Sequence, residues 1–194
     1  LVLGMPALLS PDGPAQTAIE YVVAQKPTLA LVSLGFAEAL DAAVQRDPAL
    51  IPDPAVFRAQ YAQVLRALAD AGSEILVTTI PDPMDTAFYT SVADAAAIVK
   101  LGAGKIASTR ALRLDDRLSV DGLMELGYQV IARRHDPLPE GSVLSAAAAG
   151  DISARVRLLN KAIAAAASEV EAVVCDLAGL FRRLKTQGLT VGAR

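Results

Sequence analysis

Residues 29–35 read Leu-Ala-Leu-Val-Ser-Leu-Gly, and this stretch decides the fold class of the chain. An uninterrupted apolar run that ends at a glycine is typical of a parallel strand with both faces covered. Two further stretches rich in apolar residues follow at residues 74–80 and 172–175. The sequence therefore predicts three buried strands of a parallel sheet, with Cys175 as an inert core residue in the last of them.

Helical patterns separate these strands. Asp53 followed by Pro54 is a typical helix start. Apolar residues recur at helical spacing over about residues 14–25, 54–71, 120–134, 151–168 and 177–187, whereas residues 84–145 are less regular overall. The alternation predicts an α/β protein, a three-layer α/β/α sandwich on a parallel sheet of the flavodoxin-like kind.

The extent of this sandwich also follows from the pattern. Residues 1–194 contain no internal repeat and no low-complexity linker, which favours a single domain. Residues 1–3 resemble the end of another buried strand, and the chain stops soon after the apolar residues 189–191. We therefore expect a sandwich that is incomplete at both ends.

Charge and rare residue types exclude several classes of function. The 18 basic and 21 acidic residues give a net charge of −3 without a basic run, so neither nucleic acid nor an anionic membrane surface is an expected partner. One cysteine, Cys175, and one histidine, His135, exclude an internal disulfide and a two-histidine metal motif. No run reaches the roughly 20 apolar residues that a transmembrane helix needs. We expect no metal and no cofactor.

Candidate site residues lie where the predicted strands end. Ligands of open α/β sheets bind beyond the carboxyl ends of the strands. Glu38, Asp82 and Asp176 lie in such positions. Glu38 and Asp176 fit equally well as residues at helix N-termini, where the helix dipole favours a carboxylate. The sequence leaves both roles open.

Residues 102–107 read Gly-Ala-Gly-Lys-Ile-Ala and match the dinucleotide-binding pattern G-x-G-x-x-A. That pattern binds pyrophosphate only when a strand precedes it and a helix follows it. Residues 108–116 lack helical periodicity, so the sequence predicts a loop, with a nucleotide site as the alternative. His135 lies in a polar stretch with two prolines, and we predict an exposed loop residue rather than a general base.

Four segments, in this order, carry a family resemblance. They are residues 26–35 (a strand ending in Gly), residues 77–82 (a strand ending in Ile-Pro-Asp), and residues 139–145 and 176–192. The chain resembles the SGNH, or GDSL-type, esterase and lipase family over nearly its whole length. The resemblance implies an SGNH-hydrolase-like domain that acts on small-molecule or lipid esters. It also implies a secreted or periplasmic bacterial protein, although these residues include no signal peptide.

The resemblance implies acyl transfer by a serine from a G-D-S block, with a histidine from a D-x-x-H block as base. Neither block occurs in the sequence. We therefore expect this chain to be a fragment whose nucleophile and base lie outside it, and to be inactive by itself.

The positions that the resemblance assigns to the oxyanion hole are Ala7, Gly35 and Ala37. Gly35-Phe36-Ala37-Glu38 aligns with the family block G-x-N-D, so Ala37 replaces the asparagine donor, and Ala7 replaces a glycine. Loss of one such donor lowers the rate on the order of 100 to 1,000-fold. Phe36, Glu38 and Asp82 are the expected cleft-lining residues. A non-catalytic relative that serves as a binding module is the alternative that Ala37 favours.

Overall fold

A computed structural model describes residues 17–188 and residue 192 of the chain. The helices are α1 (Ala18–Ala24), α2 (Phe36–Gln45), α3 (Pro54–Asp70), α4 (Val92–Ile98), α5 (Ala103–Arg110), α6 (Val120–Ile131), α7 (Ala146–Glu169) and α8 (Leu177–Gln187). The strands are β1 (Leu29–Val32), β2 (Glu74–Thr78), β3 (Tyr89–Ser91), β4 (Arg117–Ser119), β5 (Val143–Leu144) and β6 (Val173–Cys175). The expected strand end at residues 1–3 and the expected start of the first helix lie outside the described residues.

The described residues form two compact units. The first comprises residues 17–35, 52–80 and 157–177, and the second comprises residues 36–51, 81–156, 178–188 and 192. No helix in either described part is long and apolar enough to cross a membrane.

The first unit contains a parallel sheet of three strands in the order β1-β2-β6. Leu29 pairs with Glu74 at one end of the β1–β2 ladder, and Val77 pairs with Val174 in the β2–β6 ladder. The three strands are those that the apolar runs predict. The α/β class with a parallel sheet is confirmed.

Helix α3 supplies much of the core of the first unit. Asp53 begins it as predicted, because its carboxylate accepts hydrogen bonds from the amides of Ala55 and Val56 at 2.8 and 3.2 Å. The buried apolar face of the helix consists of Phe57, Tyr61, Ala62, Leu65 and Leu68. These side chains lie at helical spacing, so one face of α3 is withdrawn from water.

The prediction that the strands are covered on both faces is wrong for β1 and β6. Leu29 and Leu31 of β1 are 66% and 65% exposed, and Val173 of β6 is 64% exposed. Cys175, predicted to be a core residue, is exposed as well. Among the described residues, β1 and β6 lie at the two edges of this sheet. An apolar run encodes a strand, but burial also requires a neighbour on each face, which the run does not specify.

The second unit has an antiparallel sheet in the order β3-β4-β5. Ser91 and Ser119 are the last residues of β3 and β4 and cap the helices that follow, since their hydroxyls accept from the amides of Asp94 and Gly122. The buried core cluster of this unit is Val92, Ala95, Ala96, Ile106, Leu118 and Leu126. The irregular middle of the sequence therefore contains ordered helices and a sheet of its own.

Tyr61 gives a testable consequence of the core of the first unit. Its side chain is fully buried, and its hydroxyl has no hydrogen-bond partner among the described residues. Burial raises the pKa of Tyr61 to about 12. An unfolded tyrosine ionises near pH 10, so the neutral phenol favours the folded state below that pH, and this stabilisation is lost as the pH rises from about 10 to 12.

We expect Tyr61→Phe to fold at least as stably at pH 7 and to resist alkali better than the parent. Between pH 9 and pH 11 the parent should lose about 1.4 kcal/mol more unfolding free energy than the variant. Urea denaturation at the two pH values measures this difference. The control is Tyr128→Phe in the second unit, which removes a hydroxyl from a side chain that is 63% exposed and should leave the pH dependence of stability unchanged. Parallel pH curves for parent and Tyr61→Phe would contradict the prediction.

Candidate active site

Polar side chains line the carboxyl ends of the three parallel strands. The hydroxyl of Thr78 donates to Oγ of Ser33 at 3.0 Å, between the ends of β2 and β1. The hydroxyl of Thr79 donates to Oδ1 of Asp176 at 3.2 Å, between the ends of β2 and β6. The first unit thus presents a row of hydroxyls and one carboxylate at the edge where α/β sheets bind ligands. Of these residues, sequence reasoning found only Asp176.

Gly35 lies between β1 and α2, near this edge of the sheet, and has a backbone conformation that only glycine adopts easily. Its φ is +100°, and a Cβ added there would lie 2.5 Å from Cδ1 of Ile80 and 3.4 Å from Phe57. Any side chain at position 35 would therefore combine backbone strain with a clash in the core. The sequence predicted a functional position here, and the structure gives a physical reason for the glycine.

Asn160 of α7 holds the chain beyond β2. Its Oδ1 accepts from the amide of Ile80 at 2.7 Å, and its Nδ2 donates to the carbonyl of Ile80 at 2.9 Å. Ile80 is 2% exposed, so both backbone groups would otherwise be buried without a partner. Asn160 therefore fixes the residue that precedes Pro81 and Asp82. Sequence reasoning missed it, because 80 residues separate the partners and no local motif links them.

The residues aligned with the family block G-x-N-D lie at the start of α2. Phe36 and Glu38 are half-buried and Ala37 is exposed, and all three belong to the first turn of the helix. Glu38 is thus an acidic residue in a first helical turn, where the dipole stabilises it. The first amides of α2 lack intrahelical acceptors, and Ala37 adds no polar side-chain atom to them.

Asp82 has a capping role in the structure. Its carboxylate accepts from the amide of Met84 at 2.9 Å and begins the short 3₁₀ helix Pro83–Asp85. Within the second unit this turn contacts α2. The structure therefore brings α2, the helix that begins with the residues aligned to G-x-N-D, into contact with the 3₁₀ helix that Asp82 begins. Ala7, the remaining predicted oxyanion position, lies outside the described residues.

The 3₁₀ helix after Asp82 also contains Asp85, a carboxyl group whose pKa is raised. Desolvation raises the pKa of its carboxyl, the nearby Asp82 raises it further, and Lys185 and Arg182 oppose both effects. The ammonium of Lys185 and the guanidinium of Arg182 each lie 3.9 Å from the carboxylate. Lys185 also donates to the carbonyl of Met84. These contacts show that the Asp85 carboxylate is a partly buried member of a local network of charged groups, and this network accounts for its position.

His135 is an exposed loop residue, as predicted. Its Nδ1 lies 2.6 Å from the carbonyl oxygen of Arg134, so this nitrogen carries the proton and donates. In a catalytic triad a carboxylate accepts from Nδ1 and orients the imidazole as a base. In His135 the acceptor is the backbone carbonyl of the preceding residue, which only fixes the position of the ring.

Residues 102–107 form neither the predicted loop nor a dinucleotide site. Gly102 is the N-cap of α5, and the element before it is helix α4. The pyrophosphate of a dinucleotide needs a strand before the glycine turn, so the nucleotide alternative loses its structural basis. Within the described residues, no group of His, Cys, Asp and Glu side chains is arranged to hold a metal ion.

Comparison with family models, curated proteins and solved structures finds no match to this chain.

Proposed function

We propose that the chain is part of an SGNH-type serine hydrolase of carboxylic esters, whose serine and histidine lie outside these 194 residues. The observation that carries the proposal is Gly35. It follows the first parallel strand with a φ of +100° and directly precedes a helix, at the position of the family's G-x-N-D glycine. The strand order and the Ile80-Pro81-Asp82 turn after the second strand support the same interpretation.

The backbone at the start of α2 would supply the chain's own contribution to catalysis. The amides of the first turn have no intrahelical acceptor and lie at the positive end of the helix dipole. They are suited to donate to the oxygen that becomes negative when an ester carbonyl is attacked. Ala37 adds no side-chain donor, so this stabilisation rests on backbone groups alone. The hydrolase is therefore expected to be slower than a member with asparagine at this position.

Ala37 also favours a second candidate function, a non-catalytic relative that binds a ligand without hydrolysing it. The residue is exposed in the first turn of α2, where a donor side chain would face solvent or a ligand without steric hindrance. Asparagine would therefore fit at this position. A binding module has no need of the donor.

The variant Ala37→Asn separates these two functions. In the protein produced from the complete reading frame, we expect the asparagine to raise kcat for p-nitrophenyl acetate by about tenfold or more, because it restores an oxyanion donor. Val44→Asn is the matched control, since it introduces the same side chain at a 45% exposed position on the same helix. The control should leave kcat unchanged.

Other outcomes of this experiment have definite meanings. An increase in kcat with both Ala37→Asn and Val44→Asn would contradict the idea that position 37 is specifically the place of an oxyanion donor. If neither the parent nor Ala37→Asn hydrolyses the ester, the proposal of a hydrolase is wrong. The binding module is then the remaining candidate function.

A further inference from the structure

A basic cavity of about 280 Å³ lies in the second unit, and it shares His135 and part of residues 102–107 with the segments considered above. Helix α5 forms one side, and the end of α6 with the residues after it forms the other. The lining residues are Leu101, Lys105, Ile106, Thr109, Arg110, Val130, Arg133, Arg134 and His135. Every ionisable residue among them is basic. This concentration is notable in a chain whose net charge is −3.

Most of this positive charge has no counter-charge. Among the described residues, the side chains of Lys105 and Arg133 make neither an ion pair nor a hydrogen bond. Arg110 donates to neutral acceptors, namely Oε1 of Gln129 at 2.9 and 3.2 Å, the Thr109 hydroxyl and the Arg134 carbonyl. These contacts fix the guanidinium and leave its charge unneutralised.

Arg134 is the one cation of the cavity that has carboxylate partners in the described part of the chain. Its Nε lies 2.8 Å from Asp136, and its Nη2 lies 3.4 Å from Glu125. Neither carboxylate lines the cavity. Three of the four cations therefore repel one another around an open space, and a bound anion would relieve that repulsion.

The end of α6 explains only part of this arrangement. Cations after a helix C-terminus interact favourably with the dipole and its last carbonyls, which accounts for Arg133 and Arg134. Lys105 and Arg110 come from another helix, α5, and converge on the same cavity. Arg110 lies in the last turn of α5, where the helix dipole favours a cation, but Lys105 lies in the first turn, where the dipole disfavours one, so neither helix end accounts for Lys105.

We propose that this cavity binds a small phosphate monoester. A dianionic oxyanion suits several unpaired cations, and guanidinium groups bind phosphate oxygens through paired N–H donors. Leu101, Ile106 and Val130 provide an apolar wall, which fits a short apolar substituent on the phosphate. Because Nδ1 of His135 is held by a backbone carbonyl, only Nε2 of that ring is left to contact a ligand. The proposal is independent of ester hydrolysis.

Calorimetry with phenyl phosphate tests the site. We expect saturable binding that is at least about tenfold tighter than binding of benzoate, which has the same ring and a single charge. Binding should weaken as salt is added, because the cations are partly exposed. The double variant Lys105→Ala/Arg133→Ala should weaken binding about tenfold or more, and it removes no hydrogen bond or ion pair found among the described residues.

The matched control is Lys161→Ala/Arg183→Ala, which removes two exposed cations that do not line the cavity. It should change the affinity by less than about twofold, since it alters only the overall charge. Equal weakening by the two double variants would overturn the proposal. So would equal affinity for benzoate and phenyl phosphate, or no saturation up to about 10 mM.

A vesicle-binding experiment tests whether the ligand of the cavity is a soluble phosphate ester or a lipid headgroup. Vesicles of phosphatidylcholine with and without phosphatidic acid present the same phosphate monoester on a membrane. The small cavity predicts binding of phenyl phosphate without binding of either vesicle. Binding to phosphatidic acid vesicles without binding of phenyl phosphate would overturn the assignment to a small soluble ligand.

Discussion

Gly35→Ala is expected to lower the free energy of unfolding by about 3 kcal/mol. The left-handed φ of +100° alone strains an alanine by about 1 kcal/mol. The added Cβ would also lie 2.5 Å from Cδ1 of Ile80, and overpacking of a filled core adds about 1 to 3 kcal/mol. Ile80 is buried beside Phe57, so it has little room to move away. Urea denaturation of parent and variant measures the difference.

Gly72→Ala is the control that separates strain from crowding. Gly72 has a φ of +84°, yet nothing lies within 4 Å of the position that its Cβ would occupy. This variant should lose about 1 kcal/mol, from backbone strain only. If both variants lost the same amount, the close approach of Gly35 to Ile80 would have no energetic importance. The physical reason for a glycine at the end of the first strand would then be wrong.

Asn160→Ala is expected to lower the free energy of unfolding by about 3 kcal/mol as well. Its side chain satisfies both the amide and the carbonyl of Ile80, and each buried backbone group left without a partner costs about 1 to 3 kcal/mol. The turn at Pro81 should loosen at the same time, because Asn160 fixes the residue before it. Denaturation measures the first effect, and amide hydrogen exchange at Ile80 measures the second.

Asn160→Asp tests whether hydrogen bonding is the cause. An ionised aspartate keeps the acceptor for the Ile80 amide but cannot donate to the Ile80 carbonyl. A protonated aspartate can do both, so the stability of this variant relative to the parent should improve as the pH falls to about 4. The neighbour Lys161→Ala, exposed on the same helix, should change little. A pH-independent deficit in Asn160→Asp would contradict the paired hydrogen bonds.

The sequence was most informative where apolar residues are large. Leu and Val runs identify β1, β2 and β6, and Phe57, Tyr61 and Leu65 identify the buried face of α3. No range was predicted for helix α2, although a helix N-terminus at Glu38 was one of the two roles left open. The residues that the helix buries are Ala39, Ala42 and Ala43, which contribute little to a hydrophobic pattern. Helix α5 escaped prediction for a related reason, since Ile106 is its one buried residue.

Burial and the candidate site were less predictable. The exposure of Cys175 and Leu31 depends on which neighbours cover a strand, and a run of apolar letters does not contain that information. Gly35 and Asp82 were found because each lies shortly after a strand. Asn160 and the pair of Ser33 with Thr78 depend on contacts across 80 and 45 residues, which no local motif encodes.

The most direct test of the central proposal is active-site labelling of the protein produced from the complete reading frame. A fluorophosphonate probe reacts with an activated serine, and mass spectrometry of the labelled peptides locates it. We expect one labelled serine in a Gly-Asp-Ser block outside residues 1–194, and no labelling of the 194-residue chain by itself. A labelled serine within residues 1–194, or no labelled serine at all, would contradict the assignment to a hydrolase of this type.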